Sequence, residues 1–265
     1  MTNLVPVDLF APGSGAVAVL LGLRLTGLVL IAPVFSAKTV PMAIRTALII
    51  LFTILIHPMA YAAVHVPPQV TPATALGETI IGFTIGLGAA LVVGAAESAG
   101  DLLAIQIGLS GASLLNPFSN ESSPVLSSFM SMFAVTVLLG FNVHLTMLEA
   151  LGASLRSIPV GSTMEIQRGL GALLSLSGTL FVTGLRFAAP VMATVMIGNA
   201  ALAVLSRAAP QLNILSLAFP LQIGLGLFAL GAAIPFIATT LGDWPLQYDH
   251  QLTTLLTAFG PGGAR

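Results

Sequence analysis

The chain alternates between long apolar runs and short polar breaks. Runs long enough to cross a bilayer lie at residues 16–36, 42–64, 73–96, 124–150, 170–205 and 213–241. Because a helix of about 20 apolar residues spans the hydrocarbon core, the pattern predicts an all-α, membrane-associated protein with about six hydrophobic helices or helical hairpins. The fifth run has room for more than one helix, or for one helix that bends at Pro190.

The breaks between the runs are rich in proline, glycine and serine. Segment 65–72, HVPPQVTP, contains three prolines and is not expected to be helical throughout. The longest polar break, GLSGASLLNPFSNESSP at 108–124, predicts a loop. After Trp244 the periodicity is weak, which favours a short C-terminal tail. The first basic residue is Arg24, so the start of the chain lacks the basic region of a cleavable signal peptide, and we expect it to be retained.

Composition excludes an ordinary soluble protein and leaves two classes, an integral membrane protein or a protein buried inside a larger assembly. Hydrophobic residues make up 56% of the chain and charged residues 6%, with a mean hydropathy of +1.03, whereas about 25% of an average soluble domain is charged. The net charge of -1 gives no reason to expect a nucleic-acid partner. The absence of cysteine excludes disulfides, thiolate metal sites and cysteine nucleophiles.

Three charged residues, Arg24, Glu78 and Arg186, fall within the apolar runs. A charge at the middle of a bilayer costs at least ~2.5 kcal/mol, so we expect these three to form buried pairs between helices or subunits. Gly82 and Gly86 form a GxxxG spacing, which lets helices approach closely, although 27 glycines also produce such spacings by chance. Lysines and arginines in the breaks divide three against three between the two sides, which leaves the orientation in the membrane undetermined.

Catalytic chemistry has little support in the sequence. There is no HExxH, GxSxG or phosphate-binding Walker sequence, and none of the four histidines has another ligand at a metal-binding helical spacing. Glu97 and Asp101 are four residues apart, a spacing compatible with general acid–base chemistry or with a solvated helix end. The solvated end is favoured, and we predict a protein that is not an enzyme and uses no cofactor or metal.

Four segments in order carry a resemblance to one protein family. They lie at 24–48, 99–126, 142–161 and 206–213. The matching residues are Arg24, Pro33, Phe35, Val40, Pro41 and Arg45; Gly100, Gln106, Gly108, Leu109, Pro117 and Pro124; Asn142, His144, Ser154, Pro159 and Gly161; and Ser206, Arg207, Pro210, Gln211 and Asn213. Together they resemble the FliR family of flagellar export proteins, called SctT in the related injectisomes. Val143 stands where the family usually has a glycine, which puts a tight turn there in doubt.

The resemblance implies an architecture and a set of partners. Members of the family are regarded as a FliP-like part followed by a FliQ-like helical hairpin, which here implies parts at 1–165 and 166–265. They work at the bacterial inner membrane, in the flagellar basal body, with FliP-like and FliQ-like subunits and with FlhB-like and FlhA-like export components. The resemblance also implies that the helices of the assembled gate stand largely above the bilayer plane. The implied function is a subunit of the gate through which unfolded proteins are exported.

The resemblance also assigns roles to two polar segments. At the hairpin tip, Arg207, Gln211 and Asn213 are expected to lie at the cytoplasmic entrance and to contact neighbouring subunits, although an ordinary helix–helix turn has the same local pattern. The loop at 108–124 is expected to plug the pore, with a plain surface loop as the alternative. Its expected plug residues are Gly108, Ser110, Gly111, Leu114, Leu115, Asn116, Pro117 and Phe118.

Two other functions are compatible with parts of the sequence. An injectisome subunit would share the family resemblance. A small-molecule permease would explain six apolar runs, proline breaks and intramembrane charges, but not four ordered matches to one family.

Overall fold

The computed structural model describes residues 12–37, 40–109, 125–162, 166–209, 211 and 214–259. The regular secondary structure in these ranges is helical, as the apolar pattern predicts. The helices are α1 (Ser14–Ile31), α2 (Pro33–Ser36), α3 (Met42–Ala62), α4 (Pro72–Ile107), α5 (Val125–Gly140), α6 (Val143–Ser157), α7 (Ile166–Ala208), α8 (Ile214–Gly242) and α9 (Trp244–Phe259).

Among the described residues, five helical stretches are long and apolar enough to cross a membrane. They are Ser14–Ile31, Met42–Ala62, Pro72–Ile107, Phe181–Ala208 and Leu217–Phe259. A sixth results if α5 and α6, which meet at a bend, are counted as one broken span. These helices confirm the predicted all-α membrane fold.

The chain divides into two compact units. The first contains the described residues within Met1–Leu91, Leu139–Ser177 and Trp244–Arg265, and the second those within Val92–Leu138 and Gly178–Asp243. These two units do not correspond to the predicted parts 1–165 and 166–265, which were based on resemblance to two other proteins. That predicted division stays a prediction.

The first unit is built around α1. This helix packs against α3, and its backbone touches that of α4 where Gly27 lies against Thr79 and Gly82 lies against Arg24. Helix α6 packs against α9. The fully buried side chains of the unit include Leu20, Leu21, Leu25, Leu28, Ile81, Ile85, Leu151, Leu155 and Phe259.

The second unit joins the end of α4 to parts of α5, α7 and α8. Gly100 of α4 lies against the backbone of Ser127 in α5, and Gly184 of α7 lies against the carbonyl oxygen of Ala95. Gly226 of α8 contacts the side chain of Ile107. Residues Ile166–Ala208 form one helix, α7, with Pro190 inside it, so the run contains a single helix and not two.

The weakly patterned tail expected after Trp244 is instead helix α9. Tyr248, Leu252, Leu256 and Phe259 are buried along one face of it. The Tyr248 hydroxyl donates a hydrogen bond of 2.6 Å to the carbonyl oxygen of Ile85 in α4. The buried positions recur every three or four residues, which is the helical period, so the prediction of a tail was wrong.

The doubtful turn before His144 does form. Asn142 adopts the left-handed backbone conformation, with φ at 58°, and Val143 begins α6 as a fully buried side chain. Asparagine tolerates this conformation better than most residues because its short polar side chain bonds locally. The turn therefore forms with Asn142 in the left-handed conformation although Val143 follows it.

Candidate functional site

A buried ion pair joins α1 to α4. Nε of Arg24 donates to Oε2 of Glu78 at 2.6 Å. The Arg24 and Glu78 side chains are 0% and 3% exposed, so both charges are withdrawn from water and from lipid. Sequence analysis identified both residues as candidates for buried pairs, and the structure brings them together.

Other polar groups complete the site around the pair. Nη1 of Arg24 donates to Oγ of Ser154 at 3.1 Å, and Nη2 donates to the carbonyl oxygen of Ile158 at 3.0 Å. The second carboxylate oxygen of Glu78 accepts the backbone N–H of Gly161 at 2.8 Å. The network thereby connects α1, α4, α6 and the turn after α6, and each charged group is bonded to more than its counter-ion.

Gly161 reaches Glu78 because of its backbone conformation. Its φ is +81°, a region that glycine occupies without strain. A Cβ atom at this position would also overlap the side chain of Pro68. The proline-rich segment and the turn after α6 thus close over the same side of the ion pair.

Two glycines bring α1 and α4 close enough for the pair to form. A Cβ atom at Gly27 would overlap the carbonyl oxygen of Thr79, and one at Gly82 would overlap the carbonyl oxygen of Arg24. Gly27 follows Arg24 by three positions and Gly82 follows Glu78 by four, so each glycine shares a helix face with the charge beside it. Gly82 is the first member of the GxxxG spacing in the sequence.

The site is suited to structural connection rather than to chemistry. Its charges are paired and hydrogen-bonded to one another and to neighbouring groups, so none is left uncompensated in the interior. Elsewhere in the described ranges no three histidine, aspartate or glutamate side chains gather as a metal site. Glu97 and Asp101 are exposed on α4.

Arg186 does not join this network. Its side chain is exposed on α7, and it forms no ion pair with the residues that the structure describes. A counter-ion for Arg186 would therefore have to be a residue outside the described ranges or a group of another molecule.

A second arrangement, in the other unit, ends α4. Gly108 has φ at +86°, its N–H bonds to the carbonyl oxygen of Ile105, and the N–H of Leu109 bonds to that of Ala104. These are the two bonds of a Schellman motif, which satisfies carbonyl groups at a helix C-terminus. Gly108, one of the expected plug residues, is the C-terminal stop of α4.

Helix α8 supplies a third bond at the same helix end. Nε2 of Gln222 donates to the carbonyl oxygen of Gln106 at 2.5 Å. The ring of Phe219 also approaches Gly108. The exit of α4 toward residues 110–124 is thereby fixed to α8.

The remaining candidates belong to the hairpin tip and the long loop. Arg207 is exposed in the last turn of α7, and Gln211 is exposed in the turn that follows. Asn213 lies outside the described residues, as do Ser110, Gly111, Leu114, Leu115, Asn116, Pro117 and Phe118.

Sequence reasoning missed part of both arrangements. Ser154 and Gly161 were noted as matching residues without a role, and Gln222 was not singled out. A glutamine inside an otherwise apolar helix was the available signal for Gln222, because an amide among apolar side chains requires hydrogen-bond partners.

The similarity to known proteins covers most of the chain. Residues 16–244 match the profile of bacterial export proteins, family 1. The flagellar biosynthetic protein FliR of Escherichia coli (strain K12) is 32% identical over 82% of this chain and 83% of its own length. The protein of the same name from Pectobacterium carotovorum subsp. carotovorum is 30% identical over 81% of this chain and 82% of its own. The flagellar biosynthetic protein FliR of Aquifex aeolicus (strain VF5) is 30% identical over 64% of this chain and 65% of its own length.

Proposed function

Because the chain belongs to bacterial export proteins, family 1, the family of the flagellar biosynthetic protein FliR, we propose that it forms a protein-export channel together with FliP-like and FliQ-like subunits. It is a component of the flagellar type III export apparatus and lies in the inner membrane at the basal body. The proposal adds the channel itself, its unfolded protein substrates, and contacts with FlhB-like and FlhA-like components. The role proposed for the chain is structural and not enzymatic.

The observation that carries the proposal is the exposed surface around Arg186. Phe181 is 80% exposed and Leu185 is 55% exposed on the same helix, and Arg186 lies among them without a described counter-charge. An unpaired arginine in an apolar face is costly in lipid, whereas a neighbouring subunit could provide both apolar contacts and a carboxylate. The surface is therefore suited to a partner that carries an acidic group.

The two polar segments have proposed roles in the channel. Arg207, Gln211 and Asn213 would line its cytoplasmic entrance and contact neighbouring subunits. The loop at 108–124 would lie across the pore as a plug, because a polar loop beside apolar helices must avoid lipid. Its attachment to α8 through Gln222 would hold the start of the loop in place.

We also propose a division of the chain into two parts, based on the family resemblance. Residues 1–165 would correspond to a FliP-like subunit and residues 166–265 to a FliQ-like hairpin. The chain would then occupy the position of both partner types at one place in the channel.

Co-purification tests the proposal. The tagged chain is expressed with its FliP-like and FliQ-like partners, purified in detergent, and its particle mass is measured. We expect a complex several times the 27.0 kDa of the chain that contains both partners. Arg186→Glu should reduce partner retention, whereas the control Thr194→Ala on the same helix should not. Recovery of a lone chain or a homodimer, with both partners expressed, would contradict the proposal.

A further inference from the structure

Helix α9 completes the first unit from a distant part of the chain. The rest of this unit consists of the described residues within Met1–Leu91 and Leu139–Ser177, and α9 joins it after the chain has passed through the second unit. Phe259, at the end of α9, is fully buried. The packing of the first unit is therefore finished by a helix that is synthesised after all of the second unit.

One face of α9 carries its contacts. The buried side chains of the helix are Trp244, Tyr248, Leu252, Leu255, Leu256 and Phe259. They recur every three or four positions, which is the spacing of a single helix face. By contrast, Leu246 is 80% exposed, and Gln247 and Thr257 are exposed as well. The helix is thus amphipathic and docks through its apolar side.

Tyr248 fills a notch in α4. A Cβ atom at Gly88 would overlap the ring of Tyr248, so this ring occupies space that a side chain of α4 would otherwise take. The Tyr248 hydroxyl donates to the carbonyl oxygen of Ile85 at 2.6 Å. The ring of Trp244 stacks on that of Tyr248, with the ring centroids 4.6 Å apart. Both shape and a hydrogen bond therefore hold Tyr248 in place.

Phe259 fills a second notch, near the start of α7. A Cβ atom at Gly169 would overlap the ring of Phe259. Phe259 follows Tyr248 by eleven positions, which separates the two residues by about 16 Å along the axis of α9 at 1.5 Å per residue. Helix α9 also packs against α6. It therefore connects three helices of the first unit through well-separated contacts.

Both notches belong to the helices that receive α9. Gly88 and Gly169 lack side chains whether or not the two rings are seated, so the recesses in α4 and α7 do not depend on α9. An isolated helix of 16 residues is only marginally stable in water. An amphipathic helix that lays its apolar face into a groove gains its stability from that contact. Helix α9 is therefore expected to fold as it docks.

From these contacts we infer that α9 is a separable closing helix. It docks into a groove formed by α4, α6 and the start of α7, and its docking clamps these three helices together. The groove recognises an amphipathic helix with aromatic side chains at the positions of Tyr248 and Phe259. Because α9 follows the second unit in the sequence, the first unit reaches its final packing only in a chain that already contains the second. This inference does not rest on the proposed channel.

Cleavage of the folded protein tests whether its contacts hold α9. A protease site is inserted at Asp243, which is exposed in the turn between α8 and α9, and the uncut protein is the reference. After cleavage in detergent, we expect the α9 fragment to remain bound through size-exclusion chromatography. A fluorescent synthetic peptide of residues 244–259 should exchange with the bound fragment. Loss of the fragment from the cut protein would show that the covalent connection alone holds α9, and would overturn the inference.

A pair of variants tests which contacts hold the fragment. In the cut protein, Tyr248→Ala should weaken retention about tenfold or more, because it leaves a cavity at Gly88 and removes the hydrogen bond to Ile85. Leu246→Ala, on the exposed side of the same helix, is the matched control and should not alter retention. Equal retention in the two variants would contradict the docked face.

Hydrogen exchange tests the clamp itself. When the fragment is lost from the cut Tyr248→Ala protein, amide hydrogens of residues 81–91 in α4 and 166–177 in α7 should exchange faster. Those of α8, in the second unit, should not change. Unchanged exchange in α4 and α7 after loss of the fragment would show that α9 does not clamp the unit.

Two neighbouring glycines provide a test without an inserted site. Gly169→Ala places a methyl group against the ring of Phe259, whereas a Cβ atom at Gly171, in the same helix, meets nothing within 4 Å. Because alanine favours helix at both positions, a lower unfolding midpoint in Gly169→Ala alone would assign the loss to the Phe259 contact. Equal midpoints of Gly169→Ala and Gly171→Ala would contradict a seated Phe259 and, with it, the inference.

Discussion

Arg24 and Glu78 lie 54 positions apart in the sequence, yet Nε of one and Oε2 of the other are 2.6 Å apart inside the first unit. Each also bonds a backbone group of the turn after α6, Arg24 at Ile158 and Glu78 at Gly161. The pair is therefore the centre of a network whose donors and acceptors are not interchangeable. This distinguishes it from an isolated ion pair.

Removing one member of the pair should lower the stability of the protein by more than the loss of its hydrogen bonds alone. Arg24→Ala or Glu78→Ala leaves an uncompensated buried charge, which typically costs about 3–5 kcal/mol. The double variant should lose less than the sum of the two, because it leaves no charge. It should still be less stable than the unmodified protein, because Ile158 and Gly161 have lost partners. The test is to measure the unfolding midpoints, in detergent, of the unmodified protein, the two single variants and the double variant.

The exchanged pair is the matched control. Arg24→Glu combined with Glu78→Arg keeps the two opposite charges but aims an acceptor at the Ile158 carbonyl and donors at the Gly161 N–H. We therefore expect no rescue. Recovery of the original midpoint by the exchanged pair would show that the backbone bonds contribute little.

Close approach of α1 and α4 can be tested with one methyl group. Gly27→Ala places a Cβ atom against the backbone of Thr79, and overpacking of this kind costs about 1–3 kcal/mol. Gly22→Ala is the control in the same helix, where the nearest atom, Oγ1 of Thr53, is 3.6 Å away. The control should match or exceed the stability of the unmodified protein, because alanine favours helix. Equal losses of thermal stability in both variants would argue against a contact specific to Gly27.

The bond from Gln222 should protect the end of α4. Gln222→Met removes the donor to Gln106 while keeping the side-chain length, and an orphaned carbonyl costs about 1–3 kcal/mol. Amide hydrogens of residues 104–109 should then exchange about tenfold faster, the change expected for ~1.4 kcal/mol of local stability. The control Gln247→Met alters an exposed glutamine of α9. Unchanged exchange in Gln222→Met would mean that Gly108 alone fixes this helix end.

The proposed entrance can be tested by secretion. Alanine at Arg207, Gln211 or Asn213 should reduce export of flagellar substrates while the amount of protein in the membrane stays constant. Arg207 and Gln211 are exposed, and exposed polar residues contribute little to folding. Thr239→Ala, at an exposed position of α8, is the control. Wild-type secretion by all three variants would rule out the entrance role.

The proposed plug predicts a leak. Deletion of residues 112–117 should raise the permeability of the membrane to ions, because Leu114 and Leu115 would no longer fill the lumen. Ser123→Ala in the same loop keeps its length and should not leak. Ion flux into vesicles carrying the assembled complex distinguishes the two, and equal flux in both would favour a surface loop.

The sequence alone determined the membrane class and the family. It predicted about six hydrophobic helices or hairpins, and the described residues contain five helical stretches long and apolar enough to cross a membrane, or six if one bent pair counts as a span. A spanning helix satisfies its backbone hydrogen bonds within itself, so length and hydropathy of a local run are sufficient to identify it. The order of four short motifs identified the family without knowledge of any contact. The pattern also contained enough information to predict α9, because Tyr248, Leu252 and Leu256 recur at helical spacing. The prediction of a tail gave too little weight to this spacing.

The tertiary structure decided which polar residues meet. Arg24, Glu78 and Arg186 look alike in the sequence as charges within apolar runs, yet two are buried together and the third is exposed. Gln222 closes the end of a helix 116 positions earlier. Whether two distant polar residues meet depends on how closely their helices approach, as they do at Gly27 and Gly82. That distance depends on every side chain along both contacting faces. Local hydropathy carries no information about it.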